Sequence, residues 1–169
     1  MKRILRAAAL ASILSLTLGA GLAAPATAAG GKATNFTVRD IKGKYVRLSD
    51  FSGKGVLMNF WATWCKPCLV ELKHLQKLYK KYKSKGFVVL AVSMDGPETR
   101  AKVKPLIKRY KLTFPVVIDK ETRIVKLYNP KNAAPFSVFI KKGKVTKTRE
   151  GFQVSDISAI EKEVKDLIK

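Results

Sequence analysis

The sequence contains few of the residues that build metal centres and disulfide scaffolds. Its 169 residues include two cysteines and one histidine, so it can form at most one internal disulfide, and these residue types alone cannot supply a closed four-ligand zinc site. Acidic residues are also scarce, with 12 Asp and Glu against 34 Lys and Arg and a formal net charge of +22. A hydrophobic fraction of 47% excludes a disordered chain. The length fits one domain.

The first 28 residues have the pattern of a secretory signal peptide. Three basic residues among the first six precede an uncharged, apolar run over residues 7–24, and small residues follow up to Ala28. We expect cleavage after Ala28 and a periplasmic or other extracytoplasmic location, where disulfides can form and persist. The alternative is an uncleaved membrane anchor, because the apolar run is nearly long enough to span a bilayer. Residues 29–34 are then expected to be a flexible lead-in to one domain over residues 35–169.

The rest of the sequence alternates between strand and helix patterns, which predicts an α/β sheet covered by helices on both faces. Pro105 is expected to kink or split the second helix, and Ser155 is a good N-cap for the last one. The predicted strands cover residues 35–38, 45–48, 55–60, 87–92, 116–118, 137–140 and 145–148. The predicted helices start at the cysteine pair and end near residue 85, and then cover residues 98–110, 123–128 and 155–168.

The two cysteines lie where a buried strand passes into a helix. Unpaired backbone N–H groups and the helix dipole favour a thiolate on Cys65, Lys66 adds a positive charge, and Pro67 suits the first helical turn. Cys68, one turn further on, is expected to be more buried and to be the resolving thiol that attacks a mixed disulfide. The alternatives are a disulfide that only staples the helix, although so short a loop removes little chain entropy, and a metal site with His74 as third ligand.

The sequence FWATWCKPC over residues 60–68 resembles the thioredoxin active-site segment. In detail it is similar to the TlpA/ResA-type extracytoplasmic thiol–disulfide oxidoreductases, which have Asn, as at Asn59, where thioredoxin has a buried Asp. Glu71 follows the second cysteine by three residues, as in that family, and residues 114–119 resemble the family's strand after an inserted helix. The resemblance runs from about Asn35 to the C-terminus. It implies a thioredoxin-like fold, with a central mixed sheet flanked by helices, an N-terminal hairpin and a central inserted helix.

The resemblance also implies roles for residues around the cysteine pair. Glu71 would move protons to and from Cys68, because burial near the thiol would raise the pKa of its carboxyl; the alternative is a surface Glu among lysines. Pro135 matches the family's cis-proline and would leave the backbone of Ala134 free to pair with a substrate peptide. Trp64 is expected to shape the exposed apolar rim where a substrate docks.

Two positions depart from the family pattern. Lys73 stands where members usually have a Pro that kinks the active-site helix, so we expect a straighter helix. Phe136 follows Pro135 where a small polar residue is usual, which bears on substrate preference more than on the reaction. Elsewhere, His74 is expected to be solvated and Asn59 to be a hydrogen-bonding core residue.

The implied function is reduction of protein disulfides, with apocytochrome c in cytochrome c maturation or other envelope proteins as substrates. A membrane thiol donor would reduce the cysteine pair again, and no cofactor or metal is expected. Three alternatives stay open: an oxidase or isomerase with the same cysteines, a peroxide-reducing redoxin, and a copper- or zinc-binding carrier. The excess positive charge fits a solvated surface, or attraction to an anionic membrane surface or an acidic protein. Nucleic acid is not expected as a partner, since an exported protein rarely meets it.

Overall fold

A computed structural model describes residues 30–169, so the expected signal peptide lies outside the described residues. Within this range no helix is both long enough and apolar enough to cross a membrane. The strands are β1 Thr37–Arg39, β2 Tyr45–Arg47, β3 Gly55–Trp61, β4 Phe87–Ser93, β5 Val116–Ile118, β6 Phe136–Lys141 and β7 Lys144–Glu150. The α-helices are α1 Lys66–Tyr82, α2 Val103–Arg109, α3 Arg123–Tyr128 and α4 Ile157–Leu167.

The central sheet has the strand order β5-β4-β3-β6-β7. The strands β3, β4 and β5 are parallel, whereas β6 and β7 pair antiparallel. A separate antiparallel hairpin is formed by β1 and β2. This arrangement confirms the predicted mixed α/β sheet with its N-terminal hairpin.

Both faces of the sheet are buried, which explains why its central strands read as continuous apolar runs. Because successive side chains of a strand point to opposite faces, Leu57 and Trp61 join the core that includes residues of α1, α2 and α4. Met58 and Phe60 join the core beneath the hairpin and α3. The strand that carries the cysteine segment is therefore held from both sides.

The second and last helices are shorter than predicted. A 3-10 turn over Arg100–Lys102 precedes α2, so Pro105 lies in the first turn of α2. Backbone N–H groups in the first turn make no hydrogen bond within the helix, so the N–H that proline lacks is not missed there. A 3-10 turn over Val154–Asp156 likewise precedes α4 and includes Ser155. The prediction that Ser155 is the N-cap is wrong, because the turn is closed instead by the Asp156 carboxylate, which accepts a hydrogen bond from the Gln153 N–H at 2.8 Å.

Residues at the start of the described chain pair with both outer strands of the sheet. The Gly30 N–H donates to the carbonyl of Val145 on β7 at 2.6 Å, and the Ile41 N–H donates to the carbonyl of Val116 on β5 at 3.0 Å. Backbone hydrogen bonds thus connect residues 30–33 to the start of β7 and to the turn before it, whereas the flexibility expected for residues 29–34 stays a prediction.

Candidate active site

Cys65 is the residue on which α1 begins. It is the N-cap, with extended backbone dihedrals, and its Sγ accepts a hydrogen bond from the Cys68 N–H at 3.3 Å. Pro67 stands in the first turn, where its missing N–H costs no hydrogen bond. The sulfur of Cys65 thus lies against the positive end of the helix dipole, the environment that stabilises a thiolate. The helix then continues without a break through Lys73, as its sequence predicts.

The two cysteines are joined as a disulfide and differ in exposure. Cys65 is 5% exposed and Cys68 is 0% exposed, so Cys65 is the only one of the two with any surface that an attacking thiol can approach. Around it Lys66 and Pro67 are exposed, and Trp64 is 62% exposed. The structure therefore places an accessible aromatic side chain beside the more exposed of the two cysteines, as the sequence predicts.

Glu71 lies one turn after Cys68 and is fully buried, at 1% exposure. Its carboxylate accepts hydrogen bonds from Asn59 Nδ2 at 2.9 Å and from Ser137 Oγ at 3.2 Å. Burial raises the pKa of Glu71 to about 7, and the hydrogen bonds from Asn59 and Ser137 oppose that rise. This excludes the alternative of a surface Glu. At neutral pH the group can both accept and donate a proton.

A polar row crosses the otherwise apolar sheet face beneath Glu71. Asn59, Ser137 and Arg149 are directly opposite one another on β3, β6 and β7, and Asn59 Nδ2 also donates to Ser137 Oγ at 3.0 Å. Arg149 Nη1 in turn donates to Asp156 Oδ1 at 3.0 Å. The positive charge of Arg149 lowers the pKa of Glu71 and the negative charge of Asp156 raises it, both less than burial does.

Asp95 holds the segment before the cysteines, a role that the sequence analysis missed. Its buried carboxylate accepts hydrogen bonds from the Thr63 N–H at 3.0 Å, from Thr63 Oγ1 at 2.6 Å and from Ser93 Oγ at 2.8 Å. The sequence pattern predicts only a turn at Asp95. The available signal was its position just after a buried strand, at the sheet end that also receives the cysteine segment.

The Ala134–Pro135 peptide bond is cis, which confirms the prediction for Pro135. Ala134 packs against the apolar core that includes both cysteines. The preceding Ala133 is held by Asn129, which accepts from the Ala133 N–H at 3.0 Å and donates to its carbonyl at 2.8 Å. Among residues 30–169 the backbone groups of Ala134 itself take no such partner.

His74 is half-buried rather than solvated, so that prediction is wrong. Its ring lies 6.1 Å from the ring of Phe152, and partial burial, with a smaller effect of Lys77, lowers the pKa of His74. Within the described part of the chain no group of three or more His, Cys, Asp or Glu side chains is arranged to hold a metal ion.

Comparisons with known proteins point the same way as this geometry. The sequence model of the AhpC/TSA family matches residues 29–154. The thiol-disulfide oxidoreductase ResA of Bacillus thuringiensis subsp. konkukian is 44% identical over 127 residues, which are 75% of this chain and 72% of the relative. ResA of Geobacillus thermodenitrificans is 38% identical over 126 residues, which are 75% of this chain and 71% of the relative.

The fold is also similar to that of solved structures. A crystal structure of a thiol:disulfide interchange protein DsbE from Chlorobium tepidum has a TM-score of 0.77 and 32% sequence identity, and the match covers 83% of this chain and 98% of that one.

Proposed function

The chain belongs to the AhpC/TSA family and, within it, to the ResA-type thiol–disulfide oxidoreductases, and from this premise we propose that it is exported and reduces disulfides in other proteins. The observation that carries the proposal is the geometry of one helix end. The more exposed cysteine, Cys65, caps α1, its partner Cys68 is fully buried, and a carboxyl with a raised pKa lies one turn further on.

The reaction starts from the reduced protein. The Cys65 thiolate attacks one sulfur of a substrate disulfide, the substrate S–S bond breaks, and one substrate thiolate leaves. Cys65 is then joined to the other substrate sulfur in a mixed disulfide. Lys66 contributes positive charge beside the thiolate, and Trp64 provides an apolar contact for the incoming chain. The backbone of Ala134, next to Pro135, pairs with that chain.

The second step releases the substrate. Glu71 accepts the proton of the Cys68 thiol, and the Cys68 thiolate attacks Cys65 Sγ, forming the internal disulfide and expelling the second substrate thiolate. The substrate has then gained two electrons and leaves as two thiolates, which take up protons from water. The cysteine pair has lost the two electrons, and Glu71 holds the proton of Cys68. A pKa of about 7 for Glu71 suits this transfer, because the carboxylate is available at neutral pH and its protonation is reversible.

The cysteine pair must be reduced again before the next cycle. A membrane dithiol donor attacks Cys65 Sγ, and Cys68 leaves as a thiolate that takes back the proton of Glu71. The second thiol of the donor then displaces Cys65 from the mixed disulfide, so that the donor is left as a disulfide and the cysteine pair has gained two electrons. Supporting this extracytoplasmic arrangement are the basic, apolar and small-residue segments that precede residue 29. Envelope proteins, including apocytochrome c in cytochrome c maturation, are the proposed substrates.

Two measurements test the direction of exchange and the roles of the cysteines. Equilibration with a glutathione couple is expected to give a midpoint potential below about −180 mV, whereas a value near about −120 mV would show an oxidase. Cys68→Ser is expected to accumulate a mixed disulfide with insulin, visible on a non-reducing gel. Cys65→Ser is the matched control, which should form none and should lose insulin reduction. Insulin reduction retained by Cys65→Ser would contradict the mechanism.

Export is tested separately. N-terminal sequencing of protein recovered from the cell envelope is expected to start at Ala29. An intact N-terminus in the membrane fraction would show the anchored form instead, and recovery only from the cytoplasm would contradict export.

A further inference from the structure

Charged residues are distributed unequally between the two ends of the central sheet. The parallel strands β3, β4 and β5 run towards the cysteine pair, and the antiparallel β6 starts there. The loops at this end therefore follow β3, β4, β5 and β7 and precede β6. Over residues 62–66, 94–102, 119–123, 129–135 and 151–156 they carry six basic residues and five carboxylates, namely Lys66, Arg100, Lys102, Lys120, Arg123, Lys131, Asp95, Glu98, Asp119, Glu121 and Asp156. In a protein with a net charge of +22, the end with the cysteines is therefore close to neutral.

The opposite end of the sheet, which we call the basic end, consists of residues 30–34, 52–54, 83–86 and 141–144. These four segments contain seven lysines and no carboxylate: Lys32, Lys54, Lys83, Lys85, Lys141, Lys142 and Lys144. The segments lie together, because the Gly55 N–H donates to the Gly86 carbonyl at 3.0 Å. Residues of the first, second and fourth segments also line one cavity of about 200 Å³.

The lysines of the basic end are largely unpaired. Lys141 Nζ donates to the backbone carbonyl of Asp166 at 2.6 Å. The other six are exposed and form no ion pair with a carboxylate of residues 30–169. Two carboxylates of the neighbouring α4 form ion pairs with other lysines, since Glu163 pairs with Lys147 and Asp166 with Lys169. The basic end thus concentrates positive charge, and Asp166, whose pKa is lowered by its hydrogen bond with Lys169 and in smaller part by the charge of Lys141, is a partial counter-charge.

The path of the chain indicates which anionic partner binds the basic end. The described chain enters at the basic end, where Gly30 pairs with Val145 and Ala33 with Gly143. The sequence that leads into it contains the apolar run of residues 7–24. If the proposed export through this run is right, the run holds this end of the fold at a membrane before any cleavage. We propose that the basic end docks on an anionic lipid surface, with the cysteine pair facing away from the bilayer.

This orientation follows from the length of the sheet and goes beyond the proposed reduction of disulfides. The strand β3 spans seven residues between the two ends, which is about 20 Å at the usual rise per residue. Lipid headgroups in contact with the basic end therefore leave Cys65 open to proteins in solution. Both tryptophans, Trp61 and Trp64, lie at the cysteine end and can report on the orientation.

Binding is tested with the chain from Ala29, since residues 30–169 contain the whole sheet, its helices and both apolar cores. Sedimentation with phosphatidylglycerol vesicles should recover the protein at low salt, and phosphatidylcholine vesicles should not. The variant with Lys54→Gln, Lys85→Gln and Lys142→Gln should bind on the order of 100-fold more weakly. The control variant carries Lys102→Gln, Lys104→Gln and Lys108→Gln, which make the same charge change on exposed lysines beside and within α2. Its affinity for the vesicles should fall by less than about threefold if α2 stays beyond a Debye length of the surface.

Three outcomes would overturn the proposal. Equal losses in the two triple variants would show a general effect of net charge. Equal binding to both kinds of vesicle would show that charge is not the cause. Binding to duplex DNA or polyglutamate without binding to vesicles would identify another class of partner. Insulin reduction should be unchanged in both variants, which controls for folding and keeps this test separate from the proposed reaction.

The orientation is tested with vesicles whose acyl chains carry bromine, a short-range quencher of tryptophan. The bound protein should keep the fluorescence that it has in solution, because Trp61 and Trp64 face away from the lipid. Strong quenching on binding would place the cysteine end on the membrane and would overturn the proposed orientation.

Discussion

The backbone N–H and the hydroxyl of Thr63 both donate hydrogen bonds to the carboxylate of Asp95, a residue 32 positions later in the sequence. Thr63 lies two residues before Cys65, and Asp95 lies two residues after the end of β4. The contact therefore fixes the start of the cysteine segment to the neighbouring parallel strand. Positioning of the nucleophile depends on a carboxylate that takes no part in the exchange itself.

Asp95→Asn is expected to weaken this attachment. The amide keeps one acceptor oxygen but turns an NH₂ group towards donors, so one buried donor loses its partner, at a cost of about 1–3 kcal/mol in the free energy of unfolding. Urea unfolding of the oxidised protein measures the loss, and insulin reduction should slow as well. Thr63→Val, which removes only the hydroxyl donor, should cost less. Unchanged stability of Asp95→Asn would contradict the assigned role.

Glu71→Gln should change how stability depends on pH. The pKa of Glu71 in the folded protein is raised from 4.5 to about 7, so the free energy of unfolding falls as the pH rises through that interval. Gln cannot ionise and can still accept from Asn59 and bond to Ser137. The variant should match the wild type near pH 4 and be roughly 3 kcal/mol more stable at pH 8. Urea unfolding of both oxidised proteins across this range is the measurement, and parallel pH profiles would contradict it.

Ser137→Ala should shift the pH profile of the exchange reaction. The hydroxyl hydrogen bond lowers the pKa of Glu71, so its removal should move the pKa upward by about one unit. The rate at which Cys68 resolves a mixed disulfide, measured against pH, should then reach half its maximum at a higher pH. Ser137→Thr keeps the hydroxyl and should restore the original profile. A uniform slowing at every pH would indicate a purely structural role.

Gly55→Ala should destabilise the fold without touching the site. A Cβ at Gly55 would lie 2.6 Å from Leu167 Cβ and 2.9 Å from its backbone carbonyl, so α4 must shift, at a cost of about 1–3 kcal/mol. Gly96→Ala is the control, since its Cβ would meet only the end of the Glu98 side chain, at 3.1 Å. The glutathione equilibrium of Gly55→Ala should equal that of the wild type. Equal stability of the two variants would contradict this account.

Elements with a strong local pattern could be predicted from the sequence. The bounds of α3 and β5 agree with the prediction, and β3, β4 and α1 differ by few residues, because apolar period and flanking turns determine them. Errors arose where a local signal had two solutions. Pro105 is compatible with a long, kinked second helix or with a helix that starts shortly before it, and the second is what the structure shows. Both Ser155 and Asp156 can cap the turn before α4, and it is Asp156 that does so.

The cysteine pair could be located from spacing alone, but its surroundings could not. Asn59 and Ser137 are 78 residues apart, and Arg149 joins their row only through the pairing of β6 with β7. Such contacts depend on strand order and register, which no local pattern specifies. The same holds for Asp95, whose turn pattern indicates nothing about the donors that its carboxylate meets.

The pairing of residues 30–41 with the outer strands has a consequence for how the protein behaves in a crowded compartment. Unpaired strand edges are templates on which other chains add, with aggregation or domain swapping as the result. Here Gly30 covers the first residues of β7 and Ile41 covers β5, while the rest of β7 carries charged side chains. Among residues 30–169, these contacts limit the strand edge on which another chain could add along the flanks of the sheet.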